Sequence, residues 1–161
     1  YKPNTVRMPQ VTLVLDGKTL VEDQDYYVYY WNNEEAGQAE ITIRGTGGYT
    51  GYVERYFTIK KAKQPMRITA RKPAVKAAAL AKKAQKIKKT KAFRITKAKG
   101  KVTFKKRSGS SKRLTISKAG VITVKKGTKK GTYKIRVRAT ARGNSNYRKG
   151  YKNVTVKVRV K

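Results

Sequence analysis

Thr132-Tyr-Lys-Ile-Arg-Val-Arg-Ala-Thr-Ala141, followed shortly by Val154-Thr-Val-Lys-Val-Arg-Val160, decides the fold class. In the first stretch Tyr133, Ile135, Val137 and Ala139 alternate with Lys134, Arg136 and Arg138. In the second, Val154, Val156, Val158 and Val160 alternate with Thr155, Lys157 and Arg159. A period of two gives each strand one apolar face for a core and one cationic face for water. Outward from this pair, strands are expected at 93–96, 101–105, 113–117 and 121–125, with the last pair spanning 132–141 and 152–160. Lys118-Ala119-Gly120 separates Leu114-Thr-Ile-Ser117 from Val121-Ile-Thr-Val124, a three-residue hairpin with glycine at the left-handed position.

The N-terminal part repeats the theme. Val11-Thr-Leu-Val-Leu15 leads into the turn dipeptide Asp16-Gly17, and Tyr26-Tyr-Val-Tyr-Tyr-Trp31 is a β-prone aromatic run closed by Asn32-Asn33. Ala39-Glu-Ile-Thr-Ile-Arg44 puts Ile41 and Ile43 on one face, residues 45–51 form a glycine-rich corner, and 53–59 make a last strand. Short strands at this spacing point to sandwiches, not βαβ units. Residues 60–66 read as a linker. The stretch 74–91 has good helix formers in 77–84 but no firm 3.6 period, and its lysines repel, so it is read as irregular or extended.

Charge draws a boundary between the two parts. The chain has 42 Lys+Arg against 8 Asp+Glu, a formal net charge of +34. All 8 acids lie in the first 63 residues beside 8 bases, whereas residues 64–161 hold 34 bases and no acid. The expectation is an all-β chain of two tandem Ig-like β-sandwich domains. The first, 1–63, is neutral; the second, 64–161, is strongly basic with a poorly defined lead-in over 64–92. An internal echo supports two copies of one plan. Gly37-x-Ala-x-Ile-x-Ile43, a Gly/Tyr corner and Phe57-Thr-Ile59 parallel Gly131-Thr-Tyr-x-Ile-x-Val137, Asn146-Tyr-Arg-Lys-Gly150 and Val154-Thr-Val156.

Asp25-Tyr26-x-Val28-x-Tyr30-x-Asn32-Asn33-x-x-Ala36-Gly37-x-Ala39 and Ile41-x-Ile43-x-Gly45-x-Gly47-x-Tyr49-x-Gly51 resemble the bacterial Ig-like repeats strung in tandem on secreted and wall-attached proteins of Gram-positive gut bacteria. The likeness covers about residues 9–62. Residues 120–135 and Gly143-Asn-Ser-Asn-Tyr147 are similar to the lysine-rich Ig-like module that closes such chains. The resemblance implies an extracellular, cell-surface or cell-wall location and a structural or adhesive role without catalytic residues. The chain begins at Tyr1, as expected of a piece of a longer parent with other domains.

Chemistry is bounded by what is missing. Cysteine and histidine are both absent, which excludes disulfides, thiol nucleophiles, imidazole triads and zinc sites built on either residue. No apolar run approaches the roughly 18–20 residues of a transmembrane segment. No cofactor, metal site or catalytic residue is expected. Acids near 22–25 and 34–35 lack the spacing of a calcium loop, and an isopeptide cross-link assisted by a carboxylate has only the first part to sit in.

Two candidate surfaces remain. With the last two strands paired, Lys134, Arg136, Arg138, Lys157, Arg159 and Lys161 share one face, a candidate binding surface for an anionic cell-wall polymer or host glycan. Its plain alternative is a solvated face that keeps the protein soluble. Nucleic acid would bind non-specifically in vitro at low salt. However, 24 lysines against 10 arginines in 64–161, with few aromatics, fit sequence-tolerant contact better than base readout. Alternation in 26–31 splits the aromatics into two sets, one of which belongs to a core. The other, taken as Tyr27, Tyr29 and Trp31, is a candidate glycan-binding platform of a carbohydrate-binding accessory module, weighed against ordinary cross-strand packing.

Overall fold

The β-branched and aromatic runs form strands where their alternation requires it, and the computed structural model, which describes residues 1–161, is all-β with two short helices. The chain divides into two units. Unit 1 comprises Tyr1–Ala62 and Ser145–Tyr147; unit 2 comprises Lys63–Asn144 and Arg148–Lys161.

In unit 1, β1 (Val14–Leu15) and β2 (Lys18–Thr19) form a hairpin, and β3 (Tyr26–Trp31), β4 (Gly37–Gly45) and β5 (Tyr52–Ile59) form an antiparallel sheet in that order. Asp16 and Gly17 have φ of 49° and 80°, the mirror-image turn whose twist matches a tight hairpin. The expected strand over 11–15 contracts to its last two residues, because only these pair with β2; Leu13 still accepts the N–H of Leu20 at 2.9 Å. Ile41 and Ile43 are buried with Leu20 and Tyr26, and Val28, Tyr30 and Phe57 pack against them. Burial pushes the Tyr30 phenol up, and its hydroxyl donates to the Pro9 carbonyl at 2.7 Å. The Asn146 side chain accepts the Ala36 N–H at 2.9 Å and donates to the Glu35 carboxylate.

In unit 2 the elements run β6 (Arg67–Ala70), β7 (Ala74–Val75), α1 (Ala77–Lys82), β8 (Gln85–Ile87), α2 (Lys89–Ala92) and β9 (Phe93–Thr96). They continue with β10 (Val102–Lys106), β11 (Leu114–Ile116), β12 (Ile122–Val124), β13 (Gly131–Ala141) and β14 (Gly150–Val160). One sheet has the order β10-β13-β14-β7, a second β11-β12-β8, and a third pairs β6 with β9. All three feed one apolar cluster. Leu114, Ile122 and Val124 meet Ile135, Val137, Val156 and Val158 there, each fully buried. Burial of such a side chain contributes about 1.5–3 kcal/mol, and it must offset the mutual repulsion of cations that have no acidic side chain in 64–161 to pair with.

Two expectations are corrected. The stretch 74–91 is extended only in part: β7 and β8 are paired strands, but α1 and most of α2 within it are helical. Alanine propensity suffices for α1 because the lysines flank it, with Lys76 as N-cap and Lys82 and Lys83 at its end, and because Leu80 is fully buried. The linker over 60–66 is likewise shorter than expected, since Met66 is buried in the cluster. Before it, the Gln64 side chain donates to the Lys99 carbonyl at 3.0 Å and accepts the Lys99 N–H at 2.8 Å.

The hairpin between β11 and β12 turns as its sequence requires: Gly120 has φ +88°, and its N–H donates to the Ser117 carbonyl at 2.9 Å. A Cβ there would also lie 2.6 Å from Cε2 of Phe104. Gly120→Ala therefore combines a left-handed backbone with a clash against a buried ring. It is expected to cost more than about 1 kcal/mol, read as a lower denaturation midpoint at unchanged slope.

Candidate functional site

The cationic surface of unit 2 is built by strand register. β13 and β14 pair antiparallel over their full 11 residues, with Ile135 opposite Val156 and Lys134 opposite Lys157. The buried set Ile135, Val137, Ala139, Val156, Val158 and Val160 takes one parity, so Lys134, Arg136, Arg138, Lys157 and Arg159 take the other. Lys161 continues that parity past the end of β14, where its N–H donates to Val75 at 3.0 Å and its carbonyl accepts from Ala77 at 2.7 Å.

These cations are not equivalent. The Arg138 guanidinium lies 4.2 Å from the centre of the Tyr151 ring, and its Nε donates to Asn153 at 3.4 Å. Arg136 runs beneath the turn after β10: a Cβ at Gly109 would sit 2.9 Å from its Nη1. The Ser110 hydroxyl ties the same turn down, accepting the Arg136 N–H at 2.8 Å and donating to the Arg107 carbonyl at 2.7 Å. Lys134 and Lys157 are exposed and directly opposed, a like-charge pair that opposes folding.

A second cationic feature is concave, and the sequence did not suggest it. The free edge of β10 is approached by the β11–β12 turn, whose Lys118 carbonyl accepts the Phe104 N–H at 3.1 Å. At the other end of β10, Lys101 accepts the N–H of Arg142 at 3.0 Å, and Gly100 lets its backbone cross Gly143 where a Cβ would overlap the Gly143 carbonyl. Between these clamps lies an open groove of about 790 Å³. Lys101, Lys105, Lys118, Arg138, Arg142 and Lys149 line it together with Phe104 and Ile116. A further lining residue, Lys106, is already committed: its ammonium donates to the carbonyls of Ser111 at 2.8 Å and Leu114 at 2.6 Å. Of the six strand residues singled out from the sequence, only Arg138 reaches the groove. The other contributors come from chain segments up to 48 positions apart, so no local pattern announces them.

Unit 1 carries the aromatic platform. Tyr26 is 2% exposed, whereas Tyr27, Tyr29 and Trp31 are 41%, 44% and 55% exposed. Across the sheet Trp31 faces Glu40, which faces Tyr56; Tyr27 faces Arg44, which faces Tyr52. Tyr52 and Tyr56, both well exposed, thus join the outer face. Their signal was the parity of β5, where Phe57 and Ile59 point inward. The nearby carboxylates of Glu54 and Glu40 push the Tyr56 phenol up, consistent with all three sharing that face, and its hydroxyl donates to Glu54 at 3.4 Å. The carboxylates nowhere gather in a group of three or more able to hold a metal ion.

No protein-family profile matches the chain, and no curated protein matches it. Among solved structures the chain is similar to the crystal structure of Drosophila N-cadherin EC1-4, at 11% identity and a TM-score of 0.42, over 98% of this chain and 49% of that one. It is similar also to Drosophila N-cadherin EC1-3, at 10% identity and a TM-score of 0.37, over 99% of this chain and 68% of that one. The chain thus spans about half the length of the first of these.

Because Lys134 and Lys157 face each other with no acid nearby in the sequence of 64–161, Lys157→Glu should convert a repulsive pair into an attractive one. The expected gain is about 0.2–1 kcal/mol, largest at low salt and shrinking as sodium chloride is added, measured by thermal or denaturant unfolding.

Proposed function

We propose that the chain is a non-catalytic, structural or adhesive module of an extracellular surface protein. In this reading unit 1 is a spacer, and unit 2 holds anionic polymers of a bacterial wall or a host surface by charge. One observation carries it: 34 cations stand in residues 64–161 without a single acidic side chain, while the first 63 residues balance. A field of one sign has no internal counter-charge to quench it, attracts polyanions from a distance and weakens as salt rises. A non-catalytic role accords with the groove residues. Amines, guanidinia and hydroxyls line the groove beside Phe104 and Ile116, with no carboxylate, imidazole or thiol among them.

Co-sedimentation of the intact chain with purified Gram-positive cell walls, before and after removal of teichoic acid and across a salt series, tests the reading. The bound fraction is expected to fall steeply with salt and on stripping the walls. Indifference of intact walls to the protein near physiological salt would reduce the charge to a solubility device.

A second reading rests on unit 1. Five exposed aromatic side chains on one sheet face, interleaved with Glu40, Glu54 and Arg44, suit the C–H faces and hydroxyls of sugar rings. Trp31 is the sole tryptophan, so a neutral oligosaccharide seated there would change its fluorescence in a saturable way, and Tyr29→Ala with Tyr56→Ala would abolish that change. An unchanged spectrum at millimolar sugar removes this reading.

A further inference from the structure

The groove beside β10 differs in kind from the exposed ladder of β13 and β14. Charges on an open strand face act through water and are screened within about 8 Å at physiological ionic strength. In a concavity with low-dielectric walls, charges of one sign reinforce one another at a single place. Lys101, Lys105, Lys118, Arg142 and Lys149 line about 790 Å³ in this way; Lys106 and Arg138 are excluded from the count, because two carbonyls hold the first and Tyr151 and Asn153 hold the second.

The apolar lining narrows the occupant. Ile116, with a small exposed part of Phe104, supplies it. A chain of bare phosphates would leave that apolar surface wet, whereas a sugar ring covers it with its C–H face while its charged substituents reach the rim. Nucleic acid fits less well, because its bases need open rings to stack on. Phe104 is only 4% exposed and is stacked on Phe93 with centroids 5.0 Å apart; Tyr151, on the outer face of the same sheet, already carries Arg138.

We infer that this groove is a binding site for an anionic glycan, a chain of sugar rings bearing sulfate or carboxylate groups. The inference rests on the polyanion reading of unit 2 and assigns it a place and a ligand class. The sugar ring lies over Ile116, Lys105 and Arg142 reach its anionic groups, and Lys118 and Lys149 close the two sides. The cations of β14 contribute long-range attraction only.

The test compares two triple variants of the full chain that lose equal charge, K101Q/K105Q/R142Q in the groove and K134Q/K157Q/R159Q on the ladder. Each is titrated calorimetrically near physiological salt with a heparin-derived hexasaccharide, with inorganic polyphosphate of matched charge and with a single-stranded oligonucleotide. Thermal melts check folding, which neither variant should harm because both relieve repulsion. The groove variant is expected to lose roughly tenfold or more in hexasaccharide affinity and the ladder variant under about threefold. Binding of the wild type at one site, with the hexasaccharide preferred over polyphosphate, is expected alongside. Equal losses in the two variants would overturn the groove while leaving the polyanion reading intact. Equal or tighter binding of polyphosphate or oligonucleotide would overturn the ligand class. Failure of the wild type to bind any of the three would remove the polyanion reading itself.

Discussion

A slip of one residue between β13 and β14 would turn Lys157 and Arg159 into the core and the valines out to water. That register is the constraint on which unit 2 depends. It is enforced twice, by the apolar cluster that takes in Ile135, Val137, Ala139, Val156, Val158 and Val160, and by the cost of burying an unpaired ammonium or guanidinium. In most sheets the outward face tolerates either charge. Here residues 64–161 offer no carboxylate side chain, so the core alone must hold together a surface that repels itself.

The structure manages individual cations by giving some of them other work. Lys106 lies half-buried and donates to the carbonyls of Ser111 and Leu114. Arg136 lies against the Gly109 turn, and Arg138 covers Tyr151. Counting lysines and arginines therefore overstates what is available to a ligand. Lys101, Lys105, Lys118, Arg142 and Lys149 remain distinct in that they line a shared space.

Unit 1 obeys the same alternation with a different payload. Its inward set, Tyr26, Ile41 and Ile43, closes a small core, and its outward set is aromatic with charges of both signs, Glu40, Glu54 and Arg44. The internal echo seen in the sequence has a structural counterpart. Gly37 opens β4 opposite Ile59, the last residue of β5, and Gly131 opens β13 opposite Val160, the last residue of β14. Two hairpins of one design thus carry two chemically different faces.

What the sequence determined by itself is whatever a period of two encodes. The strands over 26–31, 131–141 and 150–160, their buried parity, the Gly120 turn and the charge boundary near residue 63 are local or compositional, and each is legible without neighbours. Tertiary structure decided the rest. The helix at 77–82 forms because Leu80 finds a core, a gain that no window of alanine and lysine displays. The pairing of Trp31 with Tyr56 through Glu40 depends on a three-strand register. The groove depends on a turn from one sheet meeting the edge of another, which draws together Lys101, Lys118 and Lys149. Periodicity assigns side chains to faces, but only packing brings distant faces into one cavity.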